Sequence, residues 1–204
     1  MSKAAGTSSG RPRDKSIDEA LKRAFEGLAI DSEIRSISMK DLITRAGTNR
    51  DAFYRRYNSL GHFLVDVAVH RYALDPASDT GTLLGDIESV VQDQVSMYTD
   101  GVCRELIPLL LDASAKDDVV AELFASQFIH PQRESCRRML QRAVDRGEID
   151  PPEDPEYVID LLYGPLLLRA ALPGEAPITE KIVRQSARTA MRELGAALPE
   201  DARN

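Results

Sequence analysis

Apolar residues recur along this chain at intervals of three and four, the period of helices that bury one side. Ile17, Leu21, Ala24, Phe25 and Leu28 form one such stripe and predict a first helix over residues 16–28. Ser16 is placed to cap it, with Glu19 three residues on as in a capping box. A polar link over 29–37 follows, with Ile30, Ile34 and Ile37 as its anchors. Met39, Leu42, Ile43 and Ala46 then mark a short helix over 38–46, opened by Ser38. Gly47 ends it, because glycine takes positive φ at no steric cost. Thr48 and Asn49 are capping residues for a further short helix over 50–57, with Phe53 and Tyr57 four apart on its inner side. Ser59 opens a fourth helix reaching about Leu74, which buries Phe63, Leu64, Val67 and Ala68.

After a break at 76–81, helical patterns cover about 82–100, 104–115, 117–146, 155–172 and 179–198. Pro108 falls near the start of the second of these, where it fits a first turn or makes a kink. Pro131 bends or interrupts the third near Ile129, and Gly147 ends it. No hairpin signal occurs, so the expected fold class is all-α. Residues 1–14 are rich in Ser, Gly and Ala without an apolar period, which predicts a disordered basic arm. Its Gly10-Arg11-Pro12-Arg13 either reaches DNA beside a major-groove helix or makes no contact.

The two short helices around Gly47 make a helix-turn-helix, whose second helix can enter a DNA major groove. With Phe53 and Tyr57 turned inward, Arg50, Tyr54, Arg55 and Arg56 are left for phosphates and base edges. The order Ala46-Gly47, two capping residues, Arg50, Phe53-Tyr54-Arg55-Arg56-Tyr57, Ser59 and Phe63-Leu64 resembles the signature of the tetracycline-repressor (TetR) family. Arg56 stands where that family usually has histidine, and Leu60 where it usually has a phosphate-binding lysine. This detailed match covers about residues 10–70. Arg146-Gly147-Glu148-Ile149, Asp154-Pro155 and Gly164-Pro165-Leu166 are similar to a C-terminal pattern in one branch of the same family.

The resemblance implies an N-terminal three-helix DNA-binding head and a C-terminal helical domain for ligand binding and dimerisation. The domains expected are an arm at 1–14, a head at 15–60 and a regulatory body at 61–204. Within the head, Ser38, Thr48, Asn49, Tyr54 and Arg56 are expected on phosphates. Lys40, Arg50 and Ala52 stand where family members touch bases, with Arg50 suited to a guanine edge and Ala52 to a thymine methyl. Asp51 would repel phosphate unless it reads a cytosine amine or pairs with a neighbouring base. The partners implied are double-stranded DNA, a second copy of the chain, and a small, often apolar or aromatic effector. The function implied is a ligand-responsive regulator, more often a repressor, released from a palindromic operator. Met97, Tyr98, Leu110, Phe124, Phe128, Met139 and Tyr163 can line the effector site, or serve as plain core.

Charge sharpens this division. The 204 residues carry a net charge of −7, which does not suggest a DNA binder. Residues 1–60, however, hold 12 Lys and Arg against 8 Asp and Glu, a net of +4, while residues 61–204 carry −11. A basic head on an acidic body fits DNA reading by one end alone. No stretch approaches a membrane span, and the N-terminus lacks a signal peptide's apolar region, so a cytoplasmic protein without a membrane partner is expected.

The C-terminal patterns bear on assembly. Residues 157–172 are apolar on nearly every side, and Ile178, Ile182, Val183, Ala187, Ala190, Met191 and Leu194 follow at helical spacing. Two such helices meeting their symmetry mates would form a four-helix dimer interface, unless the subunit's own core covers them. Arg169, within that run, has three open roles: a carboxylate across the dimer, the surface, or an anionic ligand.

Candidate chemistry is sparse. Cys103 and Cys136 make neither a disulfide framework nor a metal spacing, leaving reduced thiols or a redox switch. His62, Asp66 and His70 recur at i, i+4 and i+8, a spacing that suits a metal but is usually a polar face. Neither a metal nor another cofactor is expected. There is no nucleophile elbow, P-loop or dinucleotide turn, so catalysis is not expected either. Two rival functions are a helical protein–protein interaction module without a DNA role, and an enzyme on a helical scaffold.

Overall fold

The computed structural model describes residues 15–72, 79–172, 174 and 177–197. The arm expected at 1–14, the helix ends expected at Leu74 and Leu198, and the first half of the expected break at 76–81 lie outside the described residues. Among those described, the chain is helical and has no strand. It divides between Tyr57 and Asn58 into two compact units.

The first unit holds α1 (Lys15–Asp31), α2 (Met39–Arg45) and α3 (Arg50–Tyr54). Its core is the predicted stripe of Leu21, Ala24 and Phe25, closed by Ile34, Ile37, Leu42, Phe53 and Tyr57. Fully burying a side chain such as Phe25 or Phe53 is worth about 1.5–3 kcal/mol, and this small unit depends on a few of them. Two expectations are corrected. α1 already includes Lys15, so Ser16 lies inside its first turn and is not its cap. Ile30 belongs to α1, off its buried stripe, and is 86% exposed, so only Ile34 and Ile37 anchor the link. Ile34 sits in a single 3₁₀ turn, Ile34–Ser36.

The second unit comprises α4 (Leu60–Tyr72), α5 (Leu83–Thr99), α6 (Gly101–Lys116), α7 (Asp118–Phe124), α8 (His130–Asp145), α9 (Pro155–Ala171) and α10 (Glu180–Glu193). Side-chain oxygens of Ser59, Thr82, Asp100, Asp117 and Asp154 accept from backbone N–H groups in the first turns of α4, α5, α6, α7 and α9. Pro108 is accommodated inside α6. The predicted long helix over 117–146 is interrupted as expected, by a π turn at Ala125–Ile129 that joins α7 to α8. Pro131 accounts for it: proline has no N–H, and its ring clashes with the carbonyl four residues back, so the chain widens there.

Gly147 closes α8 at φ +73°. Its N–H donates to the Val144 carbonyl at 2.9 Å and the next N–H, of Glu148, to the Ala143 carbonyl at 3.0 Å, a Schellman ending. The same segment ties α8 to the start of α5. Asp86 is wholly buried and accepts from the Thr80 N–H and hydroxyl, both at 2.7 Å, and from Arg146 at 3.2 Å. The Glu148 carboxylate accepts from the Leu83 N–H at 2.6 Å. Arg146-Gly147-Glu148 thus has a structural task in this chain.

On α9, Val158, Ile159, Leu162 and Leu166 are buried, whereas Tyr157, Leu168 and Leu172 at its ends are exposed. α10 packs on α9 and α5 and buries Ala187, Ala190 and Met191. Arg169 is half-buried.

Candidate nucleic-acid interface

The turn between α2 and α3 is fixed locally. Ser38 and Asp41 form a reciprocal capping box: the Asp41 N–H donates to the Ser38 hydroxyl at 3.3 Å, and the Ser38 N–H to the Asp41 carboxylate at 3.0 Å. The Ser38 hydroxyl, which donates to the Asp41 carboxylate, and the Ser38 N–H hold the Asp41 carboxyl below its ordinary value. α2 ends on Gly47 at φ +64°, with the Thr48 N–H donating to the Ile43 carbonyl at 3.1 Å. Asn49 then caps α3 by accepting the Ala52 N–H at 2.9 Å. α3 is shorter than the predicted 50–57, but the Tyr57 N–H still bonds the Phe53 carbonyl at 3.0 Å, which keeps Tyr57 inward.

This geometry sorts the expected DNA-contact residues. Ser38, Lys40, Asn49, Arg50 and Tyr54 are exposed, and Thr48 is half-exposed. The Arg50 guanidinium lies 5.5 Å from the centre of the Tyr54 ring, so the two form one exposed cationic and aromatic pair. Arg55, expected with Arg50 and Tyr54 among the residues left for phosphates and base edges, is also exposed and follows Tyr54 directly.

Two members of that set are turned away from solvent. Ala52 is 2% exposed, so its methyl belongs to the core of the unit and is not available to a thymine. Arg56, one helical turn on, follows it inward. Its side chain is only 8% exposed, with Nε 2.6 Å from the Asp18 carboxylate of α1 and Nη1 donating to the Ala52 carbonyl at 3.0 Å. Arg56 therefore fastens the end of α3 to α1, and the expected phosphate contact does not match this placement. The i, i+4 relation to Ala52 was the available signal, but only the pairing with Asp18 decides the direction of a long side chain.

The residues expected around an effector all fall in the second unit. Met97 and Tyr98 are on α5, Leu110 on α6, Phe124 on α7, Phe128 in the π turn, Met139 on α8 and Tyr163 on α9. All are buried except Tyr163, which is half-buried. The Phe124 and Phe128 rings stack with centres 5.4 Å apart, and the Tyr163 hydroxyl is 2.8 Å from Cys136 Sγ. Burial pushes the Cys103 thiol up to about 12 and the Cys136 thiol up to about 11. The Nδ1 of His62 accepts the Asn58 N–H at 3.2 Å, and among the described residues no group of three His, Cys, Asp or Glu is placed to hold a metal ion. No described helix is long and apolar enough to cross a membrane.

Comparison with known proteins gives a consistent result. Residues 77–199 match the family model of the tetracyclin repressor-like C-terminal domain. The HTH-type transcriptional regulator YdeS of Bacillus subtilis (strain 168) is 26% identical over 191 residues, covering 92% of this chain and 94% of that protein. The TetR family transcription regulator SCO0332 shares the fold, with a TM-score of 0.71 at 20% identity over 91% of this chain and 100% of that one. The Flavonoid-responsive Regulator FrrA shares it with a TM-score of 0.63 at 16% identity, over 91% and 99%. The capped helix-turn-helix, the all-α fold and the match over most of the second unit lead to one assignment: the chain belongs to the tetracycline-repressor (TetR) family of DNA-binding transcriptional regulators.

Proposed function

We propose that this regulator is a repressor that binds a palindromic operator as a homodimer and is released by a small-molecule effector. The observation that carries the proposal is the exposed group Lys40, Arg50, Tyr54 and Arg55 on a fully capped helix-turn-helix. Arg50 and Lys40 read base edges, while Ser38, Thr48, Asn49, Tyr54 and Arg55 meet phosphates. Ala52 and Arg56 support the recognition helix from behind. The first unit reads DNA. The second unit dimerises and takes the effector, an uncharged or aromatic molecule held by residues among Met97, Tyr98, Leu110, Phe124, Phe128, Met139 and Tyr163.

Dimerisation is supported by the exposed Tyr157 and Leu168 of α9 and Leu172 just past its end, since large apolar side chains exposed together favour a covering partner. Effector release is supported by the shared fold of FrrA, a flavonoid-responsive regulator. The effector acts by favouring a state of the dimer whose heads no longer match successive major grooves.

The test is selection of random duplex DNA by the purified protein, followed by sequencing. An enriched inverted repeat is expected, and Arg50→Ala should relax preference at one position per half-site by about 1–3 kcal/mol. Absence of any enriched sequence at low salt, from protein shown to be folded, overturns the proposal. A monomeric mass at micromolar concentration overturns its dimer.

A further inference from the structure

The interior of the second unit encloses a pair of carboxamides, Gln94 and Gln132. Gln94, on α5, is fully buried. Its Nε2 donates to Oε1 of Gln132, on α8, at 3.2 Å. Its own Oε1 is buried and has no hydrogen-bond partner. Turning both carboxamides over only moves the deficit to the Gln94 nitrogen. A buried polar atom left unpaired gives up its hydration without compensation, so the position is one that a leucine would fill with less penalty.

The surroundings point to a ligand as the missing partner. Tyr98 lies one turn along α5 from Gln94 and is buried. Cys136 lies one turn along α8 from Gln132, in contact with the Tyr163 hydroxyl of α9. Burial keeps all three protonated: it pushes Cys136 up to about 11 and the two phenols higher still above their ordinary value. Their polar atoms are therefore neutral. The guanidinium next in sequence, Arg133, is engaged by the Glu156 and Asp160 carboxylates. Gln132 also follows the π turn of Ala125–Ile129 by three residues. Such turns are rare within helices and gather at functional sites.

We propose that Gln94 and Gln132 are the polar recognition point of the effector site, and that they take an uncharged small molecule through a hydroxyl group. A hydroxyl both donates and accepts, so it satisfies the orphaned Gln94 atom in either carboxamide orientation. The apolar body of the ligand packs against side chains such as Met97, Phe128 and Met139. This inference rests on the effector reading above and names the chemistry of that site.

The experiment is calorimetric titration of the full chain with three probes of one ring size: 1-naphthol, 1-methylnaphthalene and 1-naphthoate. The first two differ by a hydroxyl against a methyl of similar size. Wild-type protein is expected to bind 1-naphthol at least tenfold more tightly than either other probe. Gln94→Leu should abolish or reverse the preference for the hydroxyl over the methyl while keeping affinity for 1-methylnaphthalene. Gln94→Met serves as the second variant should the leucine protein not fold. The proposal is overturned if wild type prefers the methyl or carboxylate probe, if the preference survives in the variant, or if none of the three probes binds.

The same titrations on protein bound to its selected operator separate the two levels of argument. Binding with the expected preference but without DNA release leaves the subsite standing and removes the effector reading. Release by some other compound, without any 1-naphthol preference, does the reverse.

Discussion

Replacing Asp86 by alanine tests how the second unit is held together. The carboxylate is fully buried and accepts three hydrogen bonds, from the Thr80 N–H and hydroxyl at 2.7 Å each and from Arg146 at 3.2 Å. Arg142 adds a longer ion pair at 3.7 Å. Truncation leaves the Thr80 N–H without this acceptor and removes the most buried anion near two arginines. Removing one partner of a buried pair costs about 3–5 kcal/mol. Here both arginines are about a quarter exposed, and both keep Asp79 nearby, so the low end, about 3 kcal/mol, is expected. For a chain of this length that lowers Tm by roughly 6–12 °C.

The effect has a definite pH dependence. Burial pushes the Asp86 carboxyl up, but the bonds from Thr80 and Arg146 and the charge of Arg142 outweigh it and leave it below its ordinary 3.8. Its stabilisation is therefore fully present above that value and is lost as pH falls through the lowered one. Urea unfolding followed by far-UV circular dichroism, at neutral pH and in steps into acid, measures both. A wild-type-to-variant gap under about 1 kcal/mol at neutral pH, or a gap that widens in acid, refutes the reasoning.

Three further outcomes are expected. Gly47→Ala meets no atom within 4 Å of its new Cβ, so its cost of about 1–2 kcal/mol is backbone strain at φ +64° alone, read as a lower melting temperature of the first unit. Arg56→Ala should destabilise that unit by about 3 kcal/mol, the low end for a buried pair because Asp18 is partly exposed; Arg55→Ala should leave stability unchanged and reduce the salt slope of DNA binding by about one. Cys103 and Cys136 should resist maleimide in the native protein at neutral pH and react once it is unfolded, as counted by mass spectrometry, because burial holds both thiols protonated.

Much of this protein is decided within short stretches of chain. Ser38, Gly47 and Asn49 set the helix-turn-helix through bonds that span at most five residues, and Thr82, Asp117 and Asp154 open their helices in the same way. Pro131 accompanies a π turn because its missing N–H and its ring act locally, on the carbonyl four residues back, although Pro108 is accommodated inside α6. Such features are legible in sequence because cause and effect sit together. Ile30, Ala52, Arg56 and Gln94 are different. Ile30 continues an apolar period but falls off the buried stripe of α1, and Ala52 and Arg56 turn inward although Asp51, Tyr54 and Arg55 beside them are exposed. Gln94 looks like a surface residue in composition, yet it is enclosed and faces Gln132, 38 positions away. For these residues the sequence determines the chemistry of the side chain, and only the tertiary structure decides what covers it, because burial and long-range pairing are properties of the neighbours that folding brings to it.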